Sequence, residues 1–273
     1  MADRLGLAAA TVRVASAVPV DPSLVIPVAD PLRVLLPDGG LRRGSVVSVL
    51  SGPADPPAGG RKALSPRLTA GLGAGTVGLG AGTTSLLLAL LSRASADGSW
   101  AAIVGVPALG ALAAAESGVD LARLALVPNP GPDLTGITAA LVDGMDLVAV
   151  AGPERLSAPE RSRLTARARQ RGAVLLPLGV WPGADVVLRC TGSRWAGIGS
   201  GVAGSGVAGA GGRLRQRAVL VSAAGRRSAV PVSARLLLPS VAGPVGGAVG
   251  AVNGVGAVGP VGPVGAERRE MAG

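Results

Sequence analysis

Residues 78–94, GLGAGTTSLLLALLSRA, set a glycine-rich turn directly before two threonines and a leucine run. A loop of that kind closing onto a helix start is suited to holding phosphate. Backbone N–H groups and the helix dipole bind the anion, a lysine neutralises its charge and a hydroxyl holds magnesium, in the pattern G-x-x-x-x-G-K-[ST]. Aligned on that pattern, Gly82 is the second glycine, Thr83 stands where the lysine belongs, Thr84 is the hydroxyl, and Val77 takes the first glycine position. The same Gly-Thr-Thr equally fits a plain capped turn before a leucine helix. Gly80, Gly82, Thr83 and Thr84 are therefore candidate contacts for a weakly held nucleotide, through backbone amides, with no cofactor required. Lys62, the sole lysine, lies about twenty residues upstream on a Gly/Pro-rich stretch, and ordering that stretch to bring it in would cost much conformational entropy.

Composition excludes several other chemistries. The chain has no histidine and one cysteine, Cys190, so it can form neither an internal disulfide nor a Cys/His metal cluster. A serine or cysteine nucleophile would also lack its usual imidazole base. The formal net charge of +10 calls for solvated or paired surfaces and attracts nucleic acid or anionic membrane. Arg213, Arg215 and Arg217, spaced by two, fall on one face of a strand, with Arg226, Arg227 and Arg235 on adjoining segments and Arg194 beside Trp195. Arg163, Arg167 and Arg171, spaced by four, line one helical stripe. Each set also reads as the solvated face of an α/β domain. The surface singled out for a partner or for DNA is Arg194, Trp195, Arg213, Arg215, Arg217, Arg226 and Arg227, and binding there should weaken steeply with salt.

The elements that must position these groups alternate between strand and helix. SVVSVL, WAAIVGV, LALVP, DLVAVA, AVLLPLG and ADVVLRC read as strands, and TTSLLLALLSRASADG, ALGALAAAESG, DLTGITAALVDG and SAPERSRLTARARQRG as helices. In the last of these Ser157 and Glu160 form an S-x-x-E capping box with Pro159 in the first turn. In the leucine helix the Thr pair is expected to cap the start. The fold class expected is α/β, a mostly parallel sheet covered by helices on both faces with an antiparallel C-terminal extension. Residues 1–31 form an irregular N-terminal region and 32–190 the core, with a Gly/Pro-rich insertion near 52–78. Residues 191–239 form a basic antiparallel extension and 240–273 a disordered Gly/Val/Pro tail. The uncharged stretches 68–92 and 241–266 are too rich in glycine, or in glycine and proline, to be membrane helices. The N-terminus lacks the apolar core of a signal peptide, so a cytoplasmic protein with no membrane partner is expected.

The order of features over roughly residues 32–190 resembles the RecA-type recombinase core: LLPDGGLRRGSVVSVLSG, the loop, the leucine helix, AAIVGVPALGALAAAESGVDLARLALVPNP, then LVDGMDLVAVA. It is most similar to the ImuA family, in particular the actinobacterial ImuA-prime form, through the GTTSL version of the loop and the Trp-Pro-Gly-Ala-Asp stretch at Trp181 to Asp185. The resemblance implies a RecA-like fold whose catalytic positions are lost. Thr83 takes the lysine position, Ala151 that of the metal-binding aspartate at the end of DLVAVA, and Val106 that of the carboxylate that positions the attacking water. Phosphoryl transfer rests on positioning and electrostatic stabilisation, so such a site is not expected to hydrolyse ATP.

ImuA-like proteins are damage-induced accessory components of error-prone translesion synthesis, acting with the Y-family-like protein ImuB and a C-family polymerase. By that likeness the chain is a non-catalytic adaptor, nucleoid-associated when DNA is damaged, that docks through its C-terminal region and possesses a basic surface for DNA. Two other roles fit the same core: an active DNA-dependent ATPase of the RecA type, and a SulA-like cell-division inhibitor.

Overall fold

Short runs of Val, Ala and Leu, too brief and too uniformly apolar for amphipathic helices, build the strands, and longer Ala/Leu or Arg-rich runs with caps build the helices. The structure is a computed structural model, and it describes residues 21–52, 82–196, 216–226 and 228–238. In chain order these form β1 (Val25–Ile26), α1 (Asp30–Arg33), β2 (Leu41–Arg42), β3 (Val47–Ser51), α2 (Thr83–Ala96), β4 (Ala101–Val104), α3 (Ala111–Glu116) and β5 (Leu124–Val127). There follow α4 (Leu134–Gly144), β6 (Leu147–Ala151), α5 (Ala158–Arg171), β7 (Val174–Leu178), β8 (Val186–Ala196), β9 (Gln216–Gly225) and β10 (Ser228–Leu237).

The fold is mixed α/β. Four strands pair in parallel in the order β5-β4-β6-β7, and β3 pairs in parallel with β8, from which β9 and β10 continue antiparallel. The two sheets meet where Val46 bridges Leu175, with the Leu175 N–H donating to the Ser45 carbonyl. β3 thus sits beside β7, in the middle of the array. The next strand after β3, β4, lies on the β5 side, whereas the next after β7, β8, lies beyond β3. The connections leaving the neighbouring strands β3 and β7 thus run in opposite directions across the sheet, the kind of position where open α/β sheets place their ligands, at the carboxyl ends of the strands.

Alternate strand residues point to opposite faces, and each face has its own buried cluster. Val47, Val49, Ile103, Leu147, Leu176 and Leu188 pack with the leucines of α2, while Val46, Val104, Val148, Val150 and Leu175 pack with Leu134, Val142, Leu164 and Ala168 of α4 and α5. Leu86, Leu87, Leu90 and Leu91 of α2 are completely buried, each removal from water contributing about 1.5–3 kcal/mol.

Three local expectations change. The Thr pair does not cap α2: the N-cap is Gly82, with φ +97° and no side-chain cap bond, and Thr83 is already helical. A left-handed entry favours glycine and leaves the helix start without a side-chain acceptor. Residues 21–31 are not wholly irregular, because β1 pairs antiparallel with β2 and buries Ile26. Antiparallel pairing begins at Val186 rather than at 191, since the first half of β8 pairs with β3 on one edge and β9 on the other. The capping box of α5 forms as read, and Gly172, at φ +71°, ends that helix. The insertion from residue 53 onward and the tail at 240–273 lie outside the described residues. Among the described residues no helix is long and apolar enough to cross a membrane.

Candidate functional site

The start of α2 lies at the carboxyl end of β3, where Ser51 pairs with Cys190 in the middle of β8. A Cβ on Gly82 would come within 3.2 Å of Val219 Cγ1 and 3.7 Å of Cys190 Cβ, so the helix entry rests directly on β8 and β9. Thr83 is 2% exposed, and its Oγ1 is buried without a hydrogen-bond partner among the described residues. Thr84 is half-buried. Gly80 lies outside the described residues.

The two positions that the resemblance gives to carboxylates are packed into the apolar core. Ala151 is 3% exposed at the end of β6, and Val106 is 8% exposed just past β4. Gly105, at φ +78°, brings these strand ends so close that a Cβ there would lie 3.3 Å from the Ala151 carbonyl oxygen. Among the described residues no group of three or more His, Cys, Asp or Glu could hold a metal ion. A shallow cleft of about 360 Å³ lies at the opposite end of α2, lined by Val28, Asp30, Ser92, Arg93 and Gly118 among others, away from the loop.

Burial pushes the Cys190 thiol up to about 12, with Arg217 pulling the other way. The same burial lowers the pKa of Arg217, which the Cys190 thiolate would raise. Arg217 is half-buried and shares the strand face of Val219 and Val221, the face turned to α2. It is therefore not an outward phosphate contact, contrary to the reading from the two-residue spacing. Its strand partner is Trp195, and that of Arg194 is Ala218. Arg226 sits at the β9–β10 turn with Nη2 3.5 Å from where a Gly183 Cβ would lie, at the start of β8. Arg217 and Arg226 are therefore at opposite ends of β9, about 30 Å apart by strand rise, and do not form one surface. Arg213, Arg215 and Arg227 lie outside the described residues.

The helical stripe also has a structural use. Arg167 and Arg171 of α5 both grip Asp143 of α4: Arg167 Nε donates to Oδ1 at 2.7 Å and its Nη2 to Oδ2, and Arg171 Nε donates to Oδ1 at 3.1 Å. The Arg167 hydrogen bond is the main reason Asp143 is held down to about 2, burial opposing it and the charges of Arg167 and Arg171 adding to it. Glu160 is likewise held down to about 2, first by the Ser157 hydroxyl and then by Thr135. Arg189, which sequence reasoning passed over, is exposed, and Arg235, which it named only as lying on an adjoining segment, is half-exposed on the same side of the sheet. What could have drawn attention to Arg189 is the absence of any Asp or Glu after Asp185 until Glu267.

With this geometry in hand, comparison with known proteins locates the chain's relatives. Residues 64–183 match the family model described as the MT3502 N-terminal domain. The chain is also similar to the uncharacterized protein Rv3395c of Mycobacterium tuberculosis, at 45% identity over 116 residues, which is 42% of this chain and 57% of that protein. The chain thus spans little more than half the length of this curated relative, and the family match runs from before α2 to just past β7, stopping short of β8.

Proposed function

We propose that the chain is a non-catalytic, RecA-like adaptor of damage-induced, error-prone translesion DNA synthesis, which docks a Y-family-like ImuB partner together with its C-family polymerase. The observation that carries the non-catalytic part is the packing at the carboxyl ends of the central strands. Thr83, Val106 and Ala151 occupy the positions of cation, water-positioning carboxylate and metal-binding aspartate, and all three are at least nine-tenths buried. Electrostatic stabilisation of the transferring phosphoryl group has no charged side chain to draw on at those positions. Support for the RecA-like core comes from the opposite directions of the connections leaving β3 and β7, with a helix start at the carboxyl end of β3, and support for the pathway comes from the GTTSL loop and the Trp181 to Asp185 stretch.

In this role the leucine-filled interior supplies a rigid platform and the C-terminal strands supply the contacts, while chemistry belongs to the partners. Affinity purification of the tagged chain from DNA-damaged cells should recover a polymerase-like partner, and the purified chain should release no phosphate from ATP with magnesium, with or without single-stranded DNA. Recovery of the tubulin-like division protein would instead indicate a division inhibitor. DNA-stimulated phosphate release would overturn the adaptor reading.

A further inference from the structure

The chain's excess charge is concentrated in one segment. Residues 1–185 carry 16 basic and 14 acidic side chains, whereas Val186 to Ala266 carry eight arginines and no aspartate or glutamate. Most described arginines before Val186 are engaged: Arg33, Arg42, Arg43, Arg93, Arg123, Arg167, Arg169 and Arg171 pair with carboxylates, and Arg155 and Arg161 donate to carbonyls. Among the described residues Arg163 on α5, Arg226 at the β9–β10 turn, and Arg189 and Arg235 on the C-terminal strands make no such pair.

The pleat sorts this segment into two unlike faces. Leu188, Cys190, Val219, Val221, Ala223, Ala234 and Leu236 are buried toward α2. The opposite face presents two adjacent rows: Arg189 beside Ser222 beside Ser233, and Thr191 beside Leu220 beside Arg235. All six of these are half-exposed or exposed. From strand spacing and rise, Arg189 and Arg235 stand diagonally across β9 at about 12 Å.

We infer that this outward face of β8–β10 binds the phosphate backbone of a nucleic-acid strand without regard to sequence, through Arg189 and Arg235, with the hydroxyls of Ser222 and Ser233 as supporting donors. Charge complementarity sets the sign of the ligand. Its chemistry follows from what lies between the cations: the small hydroxyl side chains of Ser222 and Ser233, suited to donate to phosphate oxygens, beside Thr191 and Leu220, with no aromatic side chain among the described residues of this face of the sort that anchors a protein partner. The surface is separate from the start of α2 and does not depend on the adaptor role.

The test is fluorescence anisotropy of the full chain with a labelled oligo(dT) of about 20 nucleotides and with a duplex of the same length, between about 50 and 200 mM salt. The wild type should bind the single strand with a steep salt dependence. Arg189→Gln with Arg235→Gln should lower affinity at least about tenfold and reduce the slope of log K against log salt by about 1.4, two contacts at about 0.7 each on a single strand. Arg189→Lys with Arg235→Lys should restore most of the binding, and Arg163→Gln, on α5 away from this face, should leave it unchanged. Circular dichroism monitors folding. Should the double variant not fold, Ser222→Asp places a carboxylate on the same face without touching the core and should weaken binding in the same way. No binding by the wild type at the lowest salt, unchanged binding by the folded variants, tighter binding to the duplex alone, or displacement by polyglutamate more readily than by unlabelled oligo(dT) would each overturn the inference.

Discussion

Two buried threonines allow the same substitution to be tried with opposite expected signs. Thr83 is 2% exposed with a hydroxyl that has no partner among the described residues, whereas Thr138 is 0% exposed and its hydroxyl donates to the Leu134 carbonyl at 2.7 Å. Valine copies the shape and β-branching of threonine and removes only the hydroxyl. At Thr83 the loss relieves a buried polar group of an unmet hydrogen bond, a penalty of about 1–3 kcal/mol, part of which persists because valine's new methyl must fit the same space. A gain of about 1 kcal/mol is therefore expected for Thr83→Val, a rise in Tm of about 2–4 °C for a chain of this size. At Thr138 the same change removes a satisfied bond and should cost about 1 kcal/mol. Urea unfolding of both variants, followed by circular dichroism at constant m-value, reads the two signs directly. If Thr83→Val lowered stability as much as Thr138→Val did, the hydroxyl of Thr83 would have a partner, and the account of an open, uncapped helix start would fall.

Three further outcomes follow from the same geometry. Gly82→Ala must hold a Cβ at φ +97° and 3.2 Å from Val219 Cγ1, and should lose at least about 1–2 kcal/mol in a urea melt; an unchanged midpoint would mean the helix entry can move. Asp143 and Glu160 ionise at about 2 in the fold against 3.8 and 4.5 as ordinary values, so their contribution is fully present above about pH 4.5 and drains away as pH falls toward 2. Glu160→Gln should accordingly flatten the acid limb of a stability–pH curve, and an unaltered limb would remove Glu160 from the account. The Cys190 thiol, raised to about 12 from 9.0, should resist iodoacetamide at neutral pH in the folded chain and react freely after unfolding. Because the fold favours the protonated thiol, its linkage to stability begins only as pH rises above 9.0 and acts to lower it. Rapid native-state alkylation would contradict its burial.

The strands of the parallel sheet were legible because each is a run of residues whose only stable home is a two-sided interior: AAIV, LVAVA and VLLPL show no polar alternation, and all three are buried throughout. The capping box at Ser157 and Glu160 was legible for a different reason, since its partners are three residues apart and need nothing from the rest of the chain. What escaped the sequence depends on partners far away in it. Spacing alone placed Arg213, Arg215 and Arg217 on one face, but which face that is depends on how β9 packs: Val219, Val221 and Ala223 are turned to the core, and unbroken alternation along β9 puts Arg217 on their side. The Thr pair looked like a cap because threonine caps helices. Gly82 took that place because the entry lies against Val219 and Cys190, a contact between segments more than a hundred residues apart.

Neighbouring residues of β8 connect the two ends of the functional reading. Cys190 faces inward, beneath the start of α2, while Arg189 faces outward among the hydroxyls of β9 and β10. A strand with side chains alternating in this way separates the two surfaces chemically while holding them at fixed geometry, so a change of charge at Arg189 need not disturb the packing that supports Thr83. The buried face confers rigidity, since every inward residue from Leu188 to Cys190 and from Val219 to Ala223 is closed off from water. The outward face confers charge, with no carboxylate in the segment to neutralise it. The adaptor proposed above would draw on both surfaces: a helix start at the carboxyl end of β3, with threonine, valine and alanine at the positions that the RecA-type resemblance gives to charged groups, and Arg189 with Arg235 on the far side of β8–β10.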